Sequence, residues 1–568
     1  MSYKHLQRLQ NSFKNKNVLS NIFARSKNVW SGENIVISPF KDVDIPDVSL
    51  NEYVWKILEK HPTNIAAVCG ITNRSYTYEK VYKQSRTFGA NLRKKFRIKD
   101  GDTVGVMLPN MPEYPTIFFG VLFSGGVVTT YNPIYTPYEV ERQLNVSATK
   151  LIITNPTLVS NVKKALELSK KSIPIISVDI EEASPEGTVS YKELVEDNNV
   201  EMAILKEVKL NPNDVCVLPY SSGTTGMPKG VELTHRNIVA NCQQQNTECR
   251  IHRLTTECHQ DSLLVILPMF HAYGLSILML HKLSQGLKLV TLPRFQPDTF
   301  LTALLEYRIN MLYLAPPLAL FLGSHPEVTE KHLEHTNTIT CGAAPLPAAD
   351  IYKVLGKVKH DLHFGQGYGM TEASPLVSIA PLGCKRYESV GYPLPNVQLR
   401  IVDENLKNLG PGQVGELLIK GPNIMRGYRN NPEANKEVFL EGDWYRSGDL
   451  AKIDKDGLMF ISDRLKELIK VNAYQVPPAE LDSAVKNHPA VLDAAVVGIP
   501  DPQTGERPKA FVILNKAAKA TEEDIMNFVN ERVAPYKKIK EIEFVDSIPK
   551  NPSGKILRRL LKEQYRKK

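Results

Sequence analysis

The sequence predicts an α/β protein built in more than one domain, and three observations predict it. Strand-length apolar runs alternate with helical patterns from residue 50 to 180 and again from 263 to 370, the rhythm of parallel sheets covered by helices. Between Val390 and Ile461, glycine and proline turn signals crowd around short alternating segments, as in a β-rich subdomain. After the charged run Asp463 to Glu467 the character changes again, to an α+β module that fills the rest of the chain. At 568 residues the chain is too long for one ordinary core.

Taken in order, Val81, Phe88 and Leu92 share one face of a helix that starts near Thr77. Thr103 to Leu108 reads as a buried strand, and Pro112 to Phe123 as a helix stopped by Gly125-Gly126. Leu151 to Thr154 and Pro174 to Val178 read as strands on either side of another helix. Leu263 to Leu280 is the longest apolar stretch, but Pro268, His271 and Gly274 break it; a buried strand–turn–helix is expected, not a membrane span. Val397 to Val402 and Gly415 to Ile419 alternate as β-rich segments. In the last module Pro478 to Val485 is a helix, and Ala494 to Gly498 and Ala510 to Leu514 are strands. Thr521 with Asp524 makes a capping box, and Ile542 and Phe544 alternate in a final strand.

Composition is that of a globular chain, 42% hydrophobic and 23% charged. Seven cysteines without regular spacing favour a reducing compartment. Cys242, Cys249, His252, Cys258 and His259 lack the paired spacing of a zinc site and read as a polar surface excursion. The net charge of +9 is uneven: residues 1–32 hold six Lys or Arg and no acid, with Leu6, Leu9 and Phe13 at helical spacing. That segment reads either as a mitochondrial presequence or as a solvated basic tail. The matrix, the cytoplasm and the peroxisome all stay open, although the final residues are not the peroxisomal tripeptide. The basic C-terminus lacks aromatic interleaving, so no nucleic-acid partner is expected.

The run Ser221-Ser222-Gly223-Thr224-Thr225-Gly226-Met227-Pro228-Lys229-Gly230 carries the most chemistry. Its glycines let backbone N–H groups turn inward around phosphate, its hydroxyls add donors, and Lys229 adds a point charge. It is not a Walker A loop, because Gly230 stands where Ser or Thr is required.

This run resembles the phosphate loop of the adenylate-forming superfamily, which includes acyl-CoA synthetases, 4-coumarate–CoA ligases and beetle luciferases. From about residue 45 to the end, further motifs follow in that family's order. Tyr368-Gly369-Met370-Thr371-Glu372 resembles its Tyr-Gly-x-Thr-Glu motif, which implies Thr371 at the α-phosphate and Glu372, with Thr225, on Mg²⁺. Gly342-Ala343-Ala344-Pro345 matches the turn that packs on adenine and the acyl group. Asp449, in Tyr445-Arg446-Ser447-Gly448-Asp449, matches the ribose-binding aspartate, and Arg464 the arginine beside it; Ser447 replaces the commoner threonine. Lys555 matches the lysine that bridges the carboxylate and ATP. His271, Tyr273, Cys341, Gly342, Ala343 and Pro375 would line the acyl pocket.

The resemblance implies a large N-terminal α/β domain (45–465), a mobile C-terminal α+β lid (466–568) hinged at Lys466, and an active site between them. It implies an ATP- and Mg²⁺-dependent ligase that makes an acyl adenylate from an aromatic or fatty acid and passes the acyl group to CoA. Lys470 and Gln475 would serve that second step. Asn472-Ala473 stands where such ligases carry Lys-Gly, which supports adenylation more than thioester formation. Asn241 and Pro375 depart from the luciferase pattern. A luciferase-like adenylating enzyme and a non-catalytic nucleotide or acyl sensor are the alternatives; retention of Lys229, Glu372, Asp449 and Lys555 weighs against the sensor.

Overall fold

The computed structural model describes Ile22, Arg25 and residues 29–566, except 181, 222–228, 247, 250, 465–468, 472–473, 477, 502, 516–517, 534–536, 552–553 and 555. At 463–464, 470, 474–475, 480 and 566 only the backbone is described.

Both expected parallel sheets form. In the first, Val189–Ser190, Ile175–Ser177, Leu151–Thr154, Thr103–Met107, Val127–Thr130 and Val215–Leu218 lie side by side in parallel. Lys229–Thr234 then adds antiparallel and carries Tyr220–Ser221 and Gly427–Tyr428 at its edge. In the second, Ile65–Cys69, Lys288–Thr291, Ser262–Val265, Met311–Leu314, Thr338–Cys341 and His363–Gly369 are parallel. Leu376–Ile379 and Tyr392–Pro393 close one edge antiparallel. The central strands are continuous apolar runs because helices cover both faces; every residue of Thr103–Met107 is buried.

Two helices show how tightly these layers fit. Tyr78–Phe96 is capped by the Thr77 hydroxyl, as its sequence implied. Tyr114–Phe123 is apolar on every face and buried from Tyr114 to Leu122. They meet at a glycine pair: a Cβ on Gly89 would lie 2.7 Å from the Gly120 carbonyl oxygen, and one on Gly120 would lie 2.5 Å from Phe88 Cδ1.

The expected β-rich subdomain is antiparallel, in the order Val36–Ile37, Gln398–Val402, Gly415–Lys420, Trp444–Ile453, Phe439–Leu440, with Met459–Arg464 also paired to Trp444–Ile453. The end of the basic N-terminal segment is built onto it. The Trp30 indole donates to the Asp454 carbonyl, and Val29 packs on Gly457.

The expected strand–turn–helix forms as the strand Ser262–Val265 followed by a π-helix, Tyr273–His281. One expectation needs revision. The Cys/His excursion is not a surface feature: Cys242, Cys249 and His252 are buried, and of this set Cys258 is exposed. Apolar packing pulls the segment inward, and Lys282 donates to His252 Nδ1 at 3.4 Å.

The C-terminal module has its own core, built from Ile469, Leu481, Val485, Val496, Val512, Ile525, Val529 and Ile542. Val491–Asp501 and Gly505–Leu514 form a long antiparallel pair, and Glu541–Phe544 joins in parallel. The Thr521–Asp524 capping box opens the helix Glu522–Asn530. The basic C-terminus is helical over Arg558–Arg566 and docked through Arg558, which is buried against Asp482 and donates to the Val496 carbonyl.

Candidate active site

Open α/β sheets take their ligands at the C-terminal ends of their strands, and the motifs lie there, after Val215–Leu218, Thr338–Cys341 and at the end of His363–Gly369. The phosphate-type loop is bracketed by a hairpin. Tyr220 pairs with Gly230 and Ser221 with Lys229, so residues 222–228 connect two strand ends. Ser222, Gly223, Thr224, Thr225 and Gly226 lie outside the described residues. Lys229 places its Nζ 5.0 Å from the centroid of the Tyr428 ring.

Tyr428 is the residue that sequence reasoning missed. Its hydroxyl donates to Glu372 Oε1 at 2.8 Å and lies 3.3 Å from the Tyr445 hydroxyl. One phenol thus joins the lysine of the first motif to the carboxylate of the second. Burial, with the Glu372 charge, raises the Tyr428 phenol well above its ordinary value and keeps it a donor. Only the short strand Gly427–Tyr428 against Lys229–Thr234 brings it there. The dipeptide carries no motif of its own.

Thr371 and Glu372 sit on a 3₁₀ turn after the strand His363–Gly369. Pro375 folds back over it: the Met370 amide donates to the Pro375 carbonyl at 2.9 Å. Gly369 makes this possible, because a Cβ there would lie 2.3 Å from that same oxygen. The Tyr368 hydroxyl donates to Asp449 Oδ2 at 2.6 Å, so two motifs far apart in the chain share one hydrogen bond. Asp449 is held by its own amide, which donates to the Ser447 hydroxyl; Ser447 in turn donates to the Leu417 carbonyl. The strand register sets Asp449 opposite Arg464.

Several of the residues expected at the acyl side assemble around Gly342. Its amide donates to the Leu314 carbonyl, and a Cβ on it would touch Tyr273 Cε1 at 3.2 Å. The Tyr273 hydroxyl reaches the Thr340 carbonyl at 3.4 Å, beside buried Cys341. Gln366 pins the Gly342–Pro345 turn by accepting from the Leu346 amide and donating to its carbonyl. His271 Nδ1 accepts from the Tyr273 amide, and burial lowers its pKa to about 4. At neutral pH it is an imidazole whose Nε2 carries the proton. Asn110 locks the approach to His271: it accepts from the Met269 amide and donates to the Val265 and Leu267 carbonyls.

The C-terminal module approaches these strand ends at a turn around Gly554. The bridge Lys550↔Ile556 closes residues 551–555, and Gly554 has a φ of +82°. A Cβ on Gly554 would lie 3.0 Å from Pro317 Cδ, in the first turn of the helix Pro316–Ser324 that follows Met311–Leu314. Lys555 itself, like Lys466, lies outside the described residues. Lys470 pairs with Gln475 across a hairpin that leaves Asn472-Ala473 between its strands, and these two residues also lie outside the described set.

Comparison with known proteins gives a consistent picture. Residues 54–429 match the AMP-binding enzyme family model, and 480–555 match the AMP-binding enzyme C-terminal domain. The chain is 35% identical to 4-coumarate–CoA ligase 1 of Arabidopsis thaliana over 558 residues, 96% of this chain and 98% of that one. The structure superposes on a benzoate CoA ligase from Burkholderia xenovorans LB400 with a TM-score of 0.81 and 26% identity, covering 91% of this chain and 100% of that one. ATP-bound MatB from Rhodopseudomonas palustris gives a TM-score of 0.80 at 26% identity, with 91% and 99% covered.

Proposed function

The chain belongs to the AMP-binding enzyme family, and from that premise we propose that it joins an aromatic or fatty carboxylic acid to CoA through an acyl adenylate. It is an ATP-dependent acid–CoA ligase of the 4-coumarate–CoA ligase type. One observation carries the assignment of the site: Tyr428 joins Lys229 to Glu372 while Tyr368 joins its own motif to Asp449. Four separate stretches of sequence thereby meet at one place.

Lys229 and the loop it ends hold the phosphates. Tyr368 and the Gly342-Ala343-Ala344 turn flank the base, and Asp449 with Arg464 takes the ribose. Glu372, a buried hard-oxygen donor, suits Mg²⁺, which with Thr225 as second ligand would offset phosphate charge. The neutral imidazole of His271 offers its Nε2 proton to the acid and adds no charge to the pocket.

When the carboxylate oxygen attacks the α-phosphorus, the bond to pyrophosphate breaks and two anions must be drawn together. Lys555, beside the Gly554 turn, supplies the cation. The contact of Gly554 with Pro317 supports this reading, because it sets the turn against the first turn of the helix that follows Met311–Leu314, the strand paired with the one leading into Gly342. In the second step CoA thiolate attacks the acyl carbon and AMP leaves, with Lys470 and Gln475 brought in as the lid turns about Lys466.

The test is pyrophosphate release with Mg-ATP across cinnamic acids and fatty acids, with and without CoA, products identified by mass. Acid-dependent release with acyl-CoA formed is expected. Release that yields only bound acyl adenylate would show that Asn472-Ala473 disables transfer and would favour the luciferase-like reading. No release, with nucleotide bound, would favour the sensor.

A further inference from the structure

Behind Tyr273, which the ligase reading places in the acyl pocket, a second tyrosine ring separates it from a buried amine. The Tyr273 ring packs edge to face on Tyr313, with centroids 6.2 Å apart. Lys282 places its Nζ 5.3 Å from the centroid of that same Tyr313 ring. Lys282 is 1% exposed, and among the described residues its one hydrogen-bond partner is His252 Nδ1 at 3.4 Å. An ammonium has three donors.

The nearby acid does not answer it. Asp261 is buried, but one oxygen accepts from the Arg253 amide and the other is bound to His259 Nε2 at 2.8 Å. His281, beside Lys282 in the chain, gives its Nε2 proton to Asn246 Oδ1. Tyr53 donates to Gln243, and Cys242 is a buried thiol. Burial therefore dominates and lowers Lys282 to about 7, against the raising influence of Cys242 and Asp261. A buried cation without a counter-charge is costly, and an apolar side chain of the same length would serve packing better.

We propose that Lys282 is a specificity-determining residue, the distal anchor of the acyl pocket, and that it selects acids carrying a second carboxylate at the end remote from the reacting one. The proposal rests on the ligase reading above. A carboxylate meets two needs at once. It accepts hydrogen bonds from the unused N–H groups, and it neutralises the ammonium. A neutral hydroxyl at the same place would accept a bond but leave the charge uncompensated. The two tyrosine rings between the ends suit an aromatic or extended spacer.

The experiment compares matched acids on the intact enzyme: cinnamate, 4-hydroxycinnamate and 4-carboxycinnamate, then hexanoate and adipate, by pyrophosphate release. Wild type is expected to favour the dicarboxylic member of each set by at least ~10-fold in kcat/KM. Lys282→Met is expected to lose about 100-fold on the dicarboxylic acids while staying within about 3-fold on cinnamate and hexanoate, with Tm held or raised. Lys282→Arg is expected to keep the preference. Equal use of all acids by wild type, preference for 4-hydroxycinnamate, or proportionate loss on every acid in Lys282→Met would each overturn the proposal while leaving the ligase intact. Should Lys282→Met fail to fold, the wild-type comparison and Lys282→Gln decide. No release with any acid would overturn the ligase reading and this one together.

Discussion

A single hydroxyl decides how the two best-marked motifs cooperate. Tyr428→Phe keeps the ring beneath Lys229 but removes the donor to Glu372. The carboxylate then turns freely in a buried site. We expect kcat/KM for Mg-ATP to fall about 10–100-fold and the Mg²⁺ requirement to rise, with KM for the acid little changed; a Mg²⁺ titration at fixed ATP checks this. A KM for the acid that rises in step would instead mean general collapse of the pocket. The sequence announces Glu372, Asp449 and Lys229 because each sits in a run of biased composition. It does not announce Tyr428, whose importance comes only from one short edge strand. Nor does it announce Lys282, which looks like the charged end of an apolar helix. Whether such a lysine is solvated or buried depends on what folds over it, and here the 242–259 segment does.

At the scale of elements, the helix pair Tyr78–Phe96 and Tyr114–Phe123 depends on glycine at its crossing point. Gly120→Ala puts a methyl group into the Phe88 ring, and the helices have no room to separate between two covered sheets. A loss of about 1–3 kcal/mol is expected, read as a lowered urea midpoint with unchanged slope. Most elements of this kind were legible, because strand-length apolar runs between helical periods leave few alternatives. The π-helix was not. Its apolar residues face inward on every side, so no amphipathic stripe exists from which to read the residues per turn. The partner of the last strand was equally hidden. Ile542 and Phe544 show alternation, but the parallel pairing with Gly505–Leu514 depends on a crossover that only the fold reveals.

For the whole molecule, buried bases give stability a direction in pH. Burial lowers His235, His271 and His363 to about 4 from an ordinary 6.5. The unfolded chain therefore binds more protons than the folded one between those values. The stability these groups contribute is complete above 6.5 and is lost as pH falls toward 4, at up to about 1.4 kcal/mol per pH unit for each group. Thermal melts from pH 7 to 4 should show a falling Tm, and His363→Gln should flatten the slope. A Tm indifferent to pH in that window would contradict the burial of these imidazoles. The lid's separate core has a different consequence. Two cores joined by a short linker need not melt as one, and calorimetry of the free protein is expected to show two transitions. A nucleotide gripped by both sides changes that. A saturating ATP analogue with a non-hydrolysable α,β linkage stabilises only the state in which both domains are folded, by RT ln(1 + [L]/Kd). The two peaks should then merge, so that the substrate itself becomes the link that makes the molecule unfold as a unit.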